Sequence, residues 1–589
     1  MKKTTITATL FLVIFFLTSG ISSNAQGNDW ITWYEKSEYK ETPRYDETIE
    51  YCKRLADQSP IIQYEVFGLS PQNRDIPVLI MNSNQQFTPD EVQKSGQAVV
   101  MIQACIHPGE SEGKDAGLML LRDIAIHNQY PGLLKNTTVL FIPIFNTDGH
   151  ERWSKYSRIN QNGPEEMGWR VTAQNLNLNR DYMKSEAPEM KAWLNLFHNW
   201  MPDFFIDCHT TDGADYQYVL TYAMEVYGNM DKGLTAWQKE QFIPAMEKKM
   251  FAENFPVFPY VQFRSWHDPK SGLRSGVSTP MISQGYTALL NRPGLLIETH
   301  MLKPYKPRVE STYELLRFSI EYVNKNHHQL KRLIAMADNN STGLNSGDKL
   351  FPVNYTISKK DSVLVEFLGI DYEIEKSDLT GYNWYKYGSN PATFNLPLFN
   401  TSVPTAEVDL PLAYIIPAQW IEIINIIKNH HIEYYQLADD TTLLIESYLF
   451  SDIKFNERSY EGRHKVTVKT IKDISETRLF CKGSIIVPGT QSRARLIAYL
   501  LEPRADNSLL SWGYFNAIFE QKEYAETYVI EKMARQMIRE NPELLAEFEK
   551  KKSNDPDFSK NQWTMTNWFY QKTPYWDERL NRYPVGKIN

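Results

Sequence analysis

The sequence predicts an α/β fold with a mixed, largely parallel central sheet flanked by helices, followed by a smaller β-rich accessory domain. Three observations lead there. Continuous apolar runs such as Val99 to Ile106, Thr138 to Phe145 and Gly294 to Ile297 end abruptly in polar loops, as strands buried on both faces do. Between them lie segments with helical spacing of apolar residues, the alternation that builds parallel sheets. Beyond residue 350 the pattern changes to mostly short strand-like runs.

The chain opens with Lys2 and Lys3, the apolar run Leu10 to Leu17, and Ser23-Asn24-Ala25 before Gln26. That order of charge, apolar core and small residues is a secretion signal over residues 1–25, cleaved near Ala25. A secreted or periplasmic location follows. The apolar core is short for spanning a bilayer, no Cys follows it to carry a lipid, and no later segment is long and apolar enough to cross. The mature chain is therefore expected to have no membrane span.

Asp46 to Ala56 reads as a helix, then Ile61 to Val66 and Ile76 to Met81 as strands around a turn-rich connection. The strand Val99 to Ile106 and a helix from Lys114 to His127 follow, then the strand Thr138 to Phe145 and a further strand over 203–209. Gly294 to Ile297 is the last strand of this series, and a long helix runs from about Val309 to Met336. Residues 26–335 form the expected catalytic domain. The polar stretch Asp338 to Gly347 marks a linker over 336–350, and residues 351–589 form the accessory domain. Its strands are read at Val363 to Leu368, His464 to Thr470, Ser484 to Val487 and Ala494 to Leu501, with a helical segment near Tyr524 to Lys551.

A formal charge of −8 with both signs interspersed, and no basic run interleaved with aromatics, excludes a nucleic-acid groove. Four cysteines, Cys52, Cys105, Cys208 and Cys481, are too sparse for a disulfide framework in 589 residues. Buried thiols are expected.

The chemistry begins where strands end. His107-Pro108-Gly109-Glu110 follows the run Val99 to Ile106, so an imidazole and a carboxylate emerge together from a buried strand. Zn²⁺ accepts both donor types. A His-x-x-Glu spacing alone is weak, because twelve His make roughly one such match by accident. The second, His430 to Glu433, closes an amphipathic stretch and reads as a helix end. The third ligand is expected at His209, where the strand of Phe204-Phe205-Ile206-Asp207-Cys208 breaks into a polar loop. Strand alternation points Cys208 away from it. Glu298 also closes its strand, and ligands of such sheets collect at the carboxyl ends of strands.

In order, His107-Pro108-Gly109-Glu110, Asn146-Thr147-Asp148-Gly149, Asn177-Leu178-Asn179-Arg180-Asp181, strand-terminal His209 and strand-terminal Glu298 resemble the zinc carboxypeptidases, over roughly residues 40 to 335. The resemblance implies one zinc per chain held by His107, Glu110 and His209, with Glu298 as general base and then general acid. It implies that Asn179 and Arg180 bind the terminal carboxylate of the substrate. An earlier arginine stabilises the oxyanion in this family, and both Arg158 and Arg170 qualify here. Tyr286 stands where a substrate-binding tyrosine is sought, at a shorter separation from the catalytic glutamate than the family suggests. His300 shares the strand face of Glu298 and is a possible support for it.

The function implied is hydrolysis by zinc-activated water, removing C-terminal residues from peptides with a free terminal carboxylate. Cell-wall stem peptides or other amide conjugates are the alternative substrates, and an inactive peptide-binding homologue is the alternative from another class.

Overall fold

The computed structural model describes residues 30–343 and 350–589. The expected signal segment and part of the expected linker lie outside them. The described residues fall into two compact units, one reaching to Leu410 and including Ile424–Glu433 and Pro488–Ser508, the other comprising Pro411–Ile423, Tyr434–Val487 and Leu509–Asn589. This division departs from a linker at 336–350. The long helix, Tyr305–Thr342, runs through the first part of that segment, because buried Ile334, Ala337 and Ser341 continue its inward face beyond Met336.

The first unit is built on an eight-stranded sheet. Its strands are β1 (Ile62–Leu69), β2 (Asp75–Met81), β3 (Ala98–Gln103), β4 (Thr137–Ile142), β5 (Phe204–Thr211), β6 (Leu220–Ala223), β7 (Val257–Pro259) and a later strand, Gly294–His300. A small sheet of the same unit contains β8 (Gln262–Ser265) and β9 (Asp268–Arg274), so Gly294–His300 is β10. The order across the large sheet is β1-β2-β4-β3-β5-β10-β6-β7. β4, β3, β5 and β10 are mutually parallel, whereas β1, β2 and β6 join antiparallel. Every residue of β3, β4 and β5 is buried, which is why these strands read as continuous apolar runs rather than alternating ones.

Helices Glu112–Ala125 and Tyr305–Thr342 pack against each other, and the second also packs on β3 and β4. The close approach of the first to β5 requires Gly113, since a Cβ there would collide with Cys208. Glycine inside a helix costs about 1 kcal/mol relative to alanine, and the tight helix–sheet contact offsets it. Cys208 thus faces the helix while His209 faces away. All four cysteines are free, with Cys52, Cys105 and Cys208 buried.

Also in this unit, β11 (Phe351–Ile357) pairs with β14 (Ser402–Val408), and β12 (Val363–Lys376) and β13 (Asn383–Phe399) join β9 and β8 in the order β12-β13-β9-β8. Ala494–Leu501 corrects the sequence reading: it is a helix, not a strand. A short apolar run carries no usable period, and seven of its eight residues are buried, so a helix and a strand leave the same trace. The second unit holds a six-stranded sheet whose longest members form the antiparallel hairpin Thr441–Phe455 with Val466–Phe480, and the helices Thr527–Glu540 and Glu543–Asn554. Among the described residues, no helix is long and apolar enough to cross a membrane.

One buried acid gives the fold a pH dependence. Glu189, in the first turn of helix Pro188–Trp200, has no exposed surface, and neither carboxylate oxygen has a hydrogen-bond partner. Burial, with Asp148 and Asp181 adding, pushes its carboxyl from 4.5 up to about 7. The folded state therefore holds a proton that the unfolded chain releases near pH 4.5, and stability falls as pH rises between those values. Glu189→Gln is expected to raise the melting temperature at pH 8 by a few degrees and to leave it near the parental value at pH 4.5. Thermal unfolding at the two pH values measures this, and an equal shift at both would exclude ionisation as the cause.

Candidate metal centre

β3 stops at Gln103, and two residues later the backbone enters the left-handed region at Cys105, with φ 55°. Such a conformation costs a non-glycine residue about 1 to 3 kcal/mol and is held only where the surroundings impose it. It turns the chain so that His107 and Glu110 sit together, and Glu110 N–H donates to the His107 carbonyl at 2.8 Å. Gly109 has no side chain for a concrete reason. A Cβ there would lie 2.5 Å from Cδ of Arg158.

Three side chains converge. His107 Nδ1 lies 3.1 Å from Glu110 Oε1, and His209 Nδ1 lies 2.9 Å from Glu110 Oε2. One donor atom from each residue falls within 4.8 Å of the others, and all three side chains are buried. The far nitrogens of both rings are spoken for. His107 Nε2 is 3.0 Å from the Asn177 side-chain oxygen, and His209 Nε2 is 2.8 Å from Asp207 Oδ2. An acceptor at Nε2 fixes the proton there and turns the Nδ1 lone pair toward the shared point. Two imidazole lone pairs and a carboxylate meeting in a buried space fit Zn²⁺, and carboxylate or amide oxygens behind the ligating rings are the usual supports.

The electrostatics agree with a cation site. Burial, opposed by Glu110, lowers His107 to about 4, so this ring is neutral, as a ligand must be. Burial also pulls His209 down, but Asp207 and Glu110 outweigh it and hold the ring well above its ordinary value. Two carboxylates around one imidazole would equally favour a divalent cation in place of that proton. Glu110 remains ionised despite burial because His107 and Arg158 hold its carboxyl well below the usual range.

Glu298 reaches the same place by register. β5 and β10 run parallel with Glu298 paired to His209, and paired residues of neighbouring strands project from the same face. Burial, with Glu110 and Asp207 adding and His209 and Arg170 opposing, pushes Glu298 up to about 8. The two candidate arginines differ. Arg158 donates to Glu110 Oε1 at 2.6 Å with its side chain 14% exposed, whereas Arg170 lies 3.4 Å from the same oxygen and is 44% exposed. The loop carrying Arg158 is secured by Arg308, which pairs with buried Glu112 and donates to the carbonyls of Asn162 and Gly163 at 2.8 and 2.6 Å.

Asn179 is buried, its side-chain oxygen accepting from Ser283 N–H at 3.4 Å, and Arg180 beside it is half-buried. Tyr286 is not at the site. Helix Ser283–Leu289 turns it into the core, fully buried, where its hydroxyl meets His198 Nε2 at 3.0 Å and His430 Nδ1 at 2.9 Å. His430 is indeed a helix-end residue, bonded internally. His300 donates no support to Glu298; its Nε2 meets the Ala214 carbonyl at 2.8 Å. Asp148 secures the turn between β1 and β2 through Ser70, Gln72 and Arg74.

Four residues escaped the sequence reading. Asp207 precedes His209 by two positions on one strand, so alternation places both on one face, a signal open to the sequence. Gln103 holds Asp207 in turn, at 3.0 Å. Asn177 lay within the Asn-Leu-Asn motif without a role. Tyr260, just after β7, bonds Thr211 and feels both Glu298 and Arg180, and no local pattern announces it.

Residues 48–223 match the family model described as zinc carboxypeptidase. Over these residues the chain is similar to the zinc carboxypeptidases. The matched residues include both histidines and Glu110, both candidate arginines, and Asn179 and Arg180, and they end before Glu298. No curated protein matches the chain. Similar solved structures include a metallo-carboxypeptidase from Pseudomonas aeruginosa, 16% identical over 49% of this chain and 70% of that one, with a TM-score of 0.35. A metallo-carboxypeptidase from Burkholderia cenocepacia is 17% identical over 48% and 70%, with a TM-score of 0.35. Carboxypeptidase A from Helicoverpa armigera is 15% identical over 56% and 86%, with a TM-score of 0.37.

Asp207→Asn is expected to weaken zinc binding to this domain about 10- to 100-fold, the usual effect of losing a support behind a ligating histidine. Chelator competition on the purified variant measures it. Parental affinity would exclude Asp207 as a support of the metal centre.

Proposed function

We propose that the protein is an exported zinc metallopeptidase that removes C-terminal residues from peptides. The pairing of Glu298 with His209 across β5 and β10 carries this reading, because it sets a half-buried carboxylate beside a metal ligand. Zinc, when bound by His107, Glu110 and His209, acidifies water and polarises the scissile carbonyl. Glu298 accepts the proton of the attacking water at its carboxylate and returns it to the departing amine. Arg170, the more exposed of the two arginines and the more distant from Glu110, at 3.4 Å against 2.6 Å for Arg158, meets the developing oxyanion. Asn179 and Arg180 hold the terminal carboxylate, for which the guanidinium fork is suited. Export rests on the N-terminal sequence of charge, apolar run and Ala25.

Glu298→Gln keeps size and hydrogen bonding but cannot take a proton. It is expected to retain zinc while turnover falls by roughly two to four orders of magnitude; turnover and metal content measured on one preparation decide it, and near-parental turnover with full zinc would remove Glu298 from the reaction. Arg180→Ala tests the substrate. Loss of a charge-assisted bidentate contact costs on the order of 1.5 to 3 kcal/mol, so hydrolysis of free-acid peptides should drop at least tenfold relative to their C-terminal amides. Equal loss on both would point to a folding role, and strong parental activity on amides would favour an endopeptidase or amidase.

A further inference from the structure

Beside the carboxylate-binding pair lies a cavity of about 620 Å³. Ile282 and Gln284 line it, on either side of Ser283, whose N–H meets Asn179. Tyr260, which feels Arg180 and Glu298, lines it too. The side chain of a terminal residue leaves the same carbon that bears the terminal carboxylate. A carboxylate held by Asn179 and Arg180 therefore directs that side chain into the adjoining space.

The charge of that space is one-sided. Arg264, Arg274 and Lys359 line it, and no Asp or Glu does. Gln262 pairs with Arg274 across β8 and β9, and Arg264 follows on β8 where the register shifts between Phe263 and Ser265. Among the described residues, none of the three cations has a carboxylate within ion-pair distance. Arg264 instead holds its guanidinium carbon 4.5 Å from the centre of the Phe399 ring, and a guanidinium stacked by its face keeps its N–H edge for a ligand. Buried Glu225 is occupied by the backbone N–H groups of Tyr227, Gly228, Asn229 and Ser278.

We propose that this cavity selects an acidic residue at the substrate C terminus, glutamate over its neutral isostere glutamine. The inference rests on the carboxypeptidase reading above and names its substrate class. Cations lining a cleft raise the local concentration of an anion, and a charge-assisted hydrogen bond made inside it is worth about tenfold or more in affinity.

The test compares N-acylated dipeptides ending in Glu and in Gln at pH 7.5, with the zinc-loaded parent and with Arg264→Ala combined with Arg274→Ala. The parent is expected to show kcat/KM at least tenfold higher for Glu, and the variant a ratio close to one. A parental ratio near one, or a ratio unaltered in the variant, would overturn the proposal. In a second arm, N-acetyl-Ala-Glu and N-acetyl-Ala-Gln are titrated by calorimetry into chelator-treated protein, where no turnover occurs. Tighter binding of the glutamate peptide to the parent, lost in the variant, supports the selectivity; equal binding overturns it. If no peptide is hydrolysed, the peptidase reading fails, and the binding arm still judges the cavity.

Discussion

A carboxylate taken out of water stays ionised only if positive charge and N–H donors replace the water, and Glu110 is the carboxylate on which this arrangement depends. It is almost wholly buried, yet two imidazoles, the Thr210 N–H at 2.9 Å and two guanidinium groups all aim at its two oxygens. Each of those partners is fixed in turn. Asp207 and Gln103 hold His209, Asn177 holds His107, and the Arg158 loop is tied to the long helix through Arg308. The site is thus a set of nested supports around one anion, and the strain at Cys105 is the local expense of placing that anion at the end of a strand.

Much of this was legible in the sequence because a parallel sheet buries its central strands on both faces. Val99 to Ile106, the run ending at His209 and the run ending at Glu298 each advertise a strand by continuous apolarity and a strand end by the first polar residue. His107, Glu110, His209 and Glu298 therefore stood out as residues at one edge of one sheet, and the structure brings them together. Asp207 was equally open to the alternation rule and was passed over because an acid inside an apolar strand looks like a defect until its histidine is in view.

Other features were hidden for physical reasons. Tyr286 sat at a plausible distance in sequence from Glu298, but direction from a helix depends on rotation about its axis, and Ser283–Leu289 turns that phenol toward His198 and His430. Tyr260 follows the end of β7, and Arg264 and Arg274 come from short, partly exposed strands whose residues carry no strong period. Ala494 to Leu501 shows the opposite difficulty, a run apolar at every position but Arg495 and too short to tell a helix from a strand. The boundary near residue 340 failed to coincide with a change of compact unit because polar composition marks exposure, and a helix can be exposed on one side while its other side continues into the core.

The β5–β10 register has a wider meaning. Between Thr211, where β5 ends, and Gly294, where β10 begins, the chain makes an excursion that holds β6 and β7 of the same sheet, then β8 and β9, and much of the wall of the cationic cavity, Arg264 and Arg274 included. Since a one-residue slip would throw Glu298 to the opposite face from His209, the two ends of the excursion are locked, whereas β8 and β9 within it belong to a different sheet. Reaction and recognition are consequently written in separable stretches of one chain, and a descendant could change its diet by rewriting the excursion without relearning how to cut.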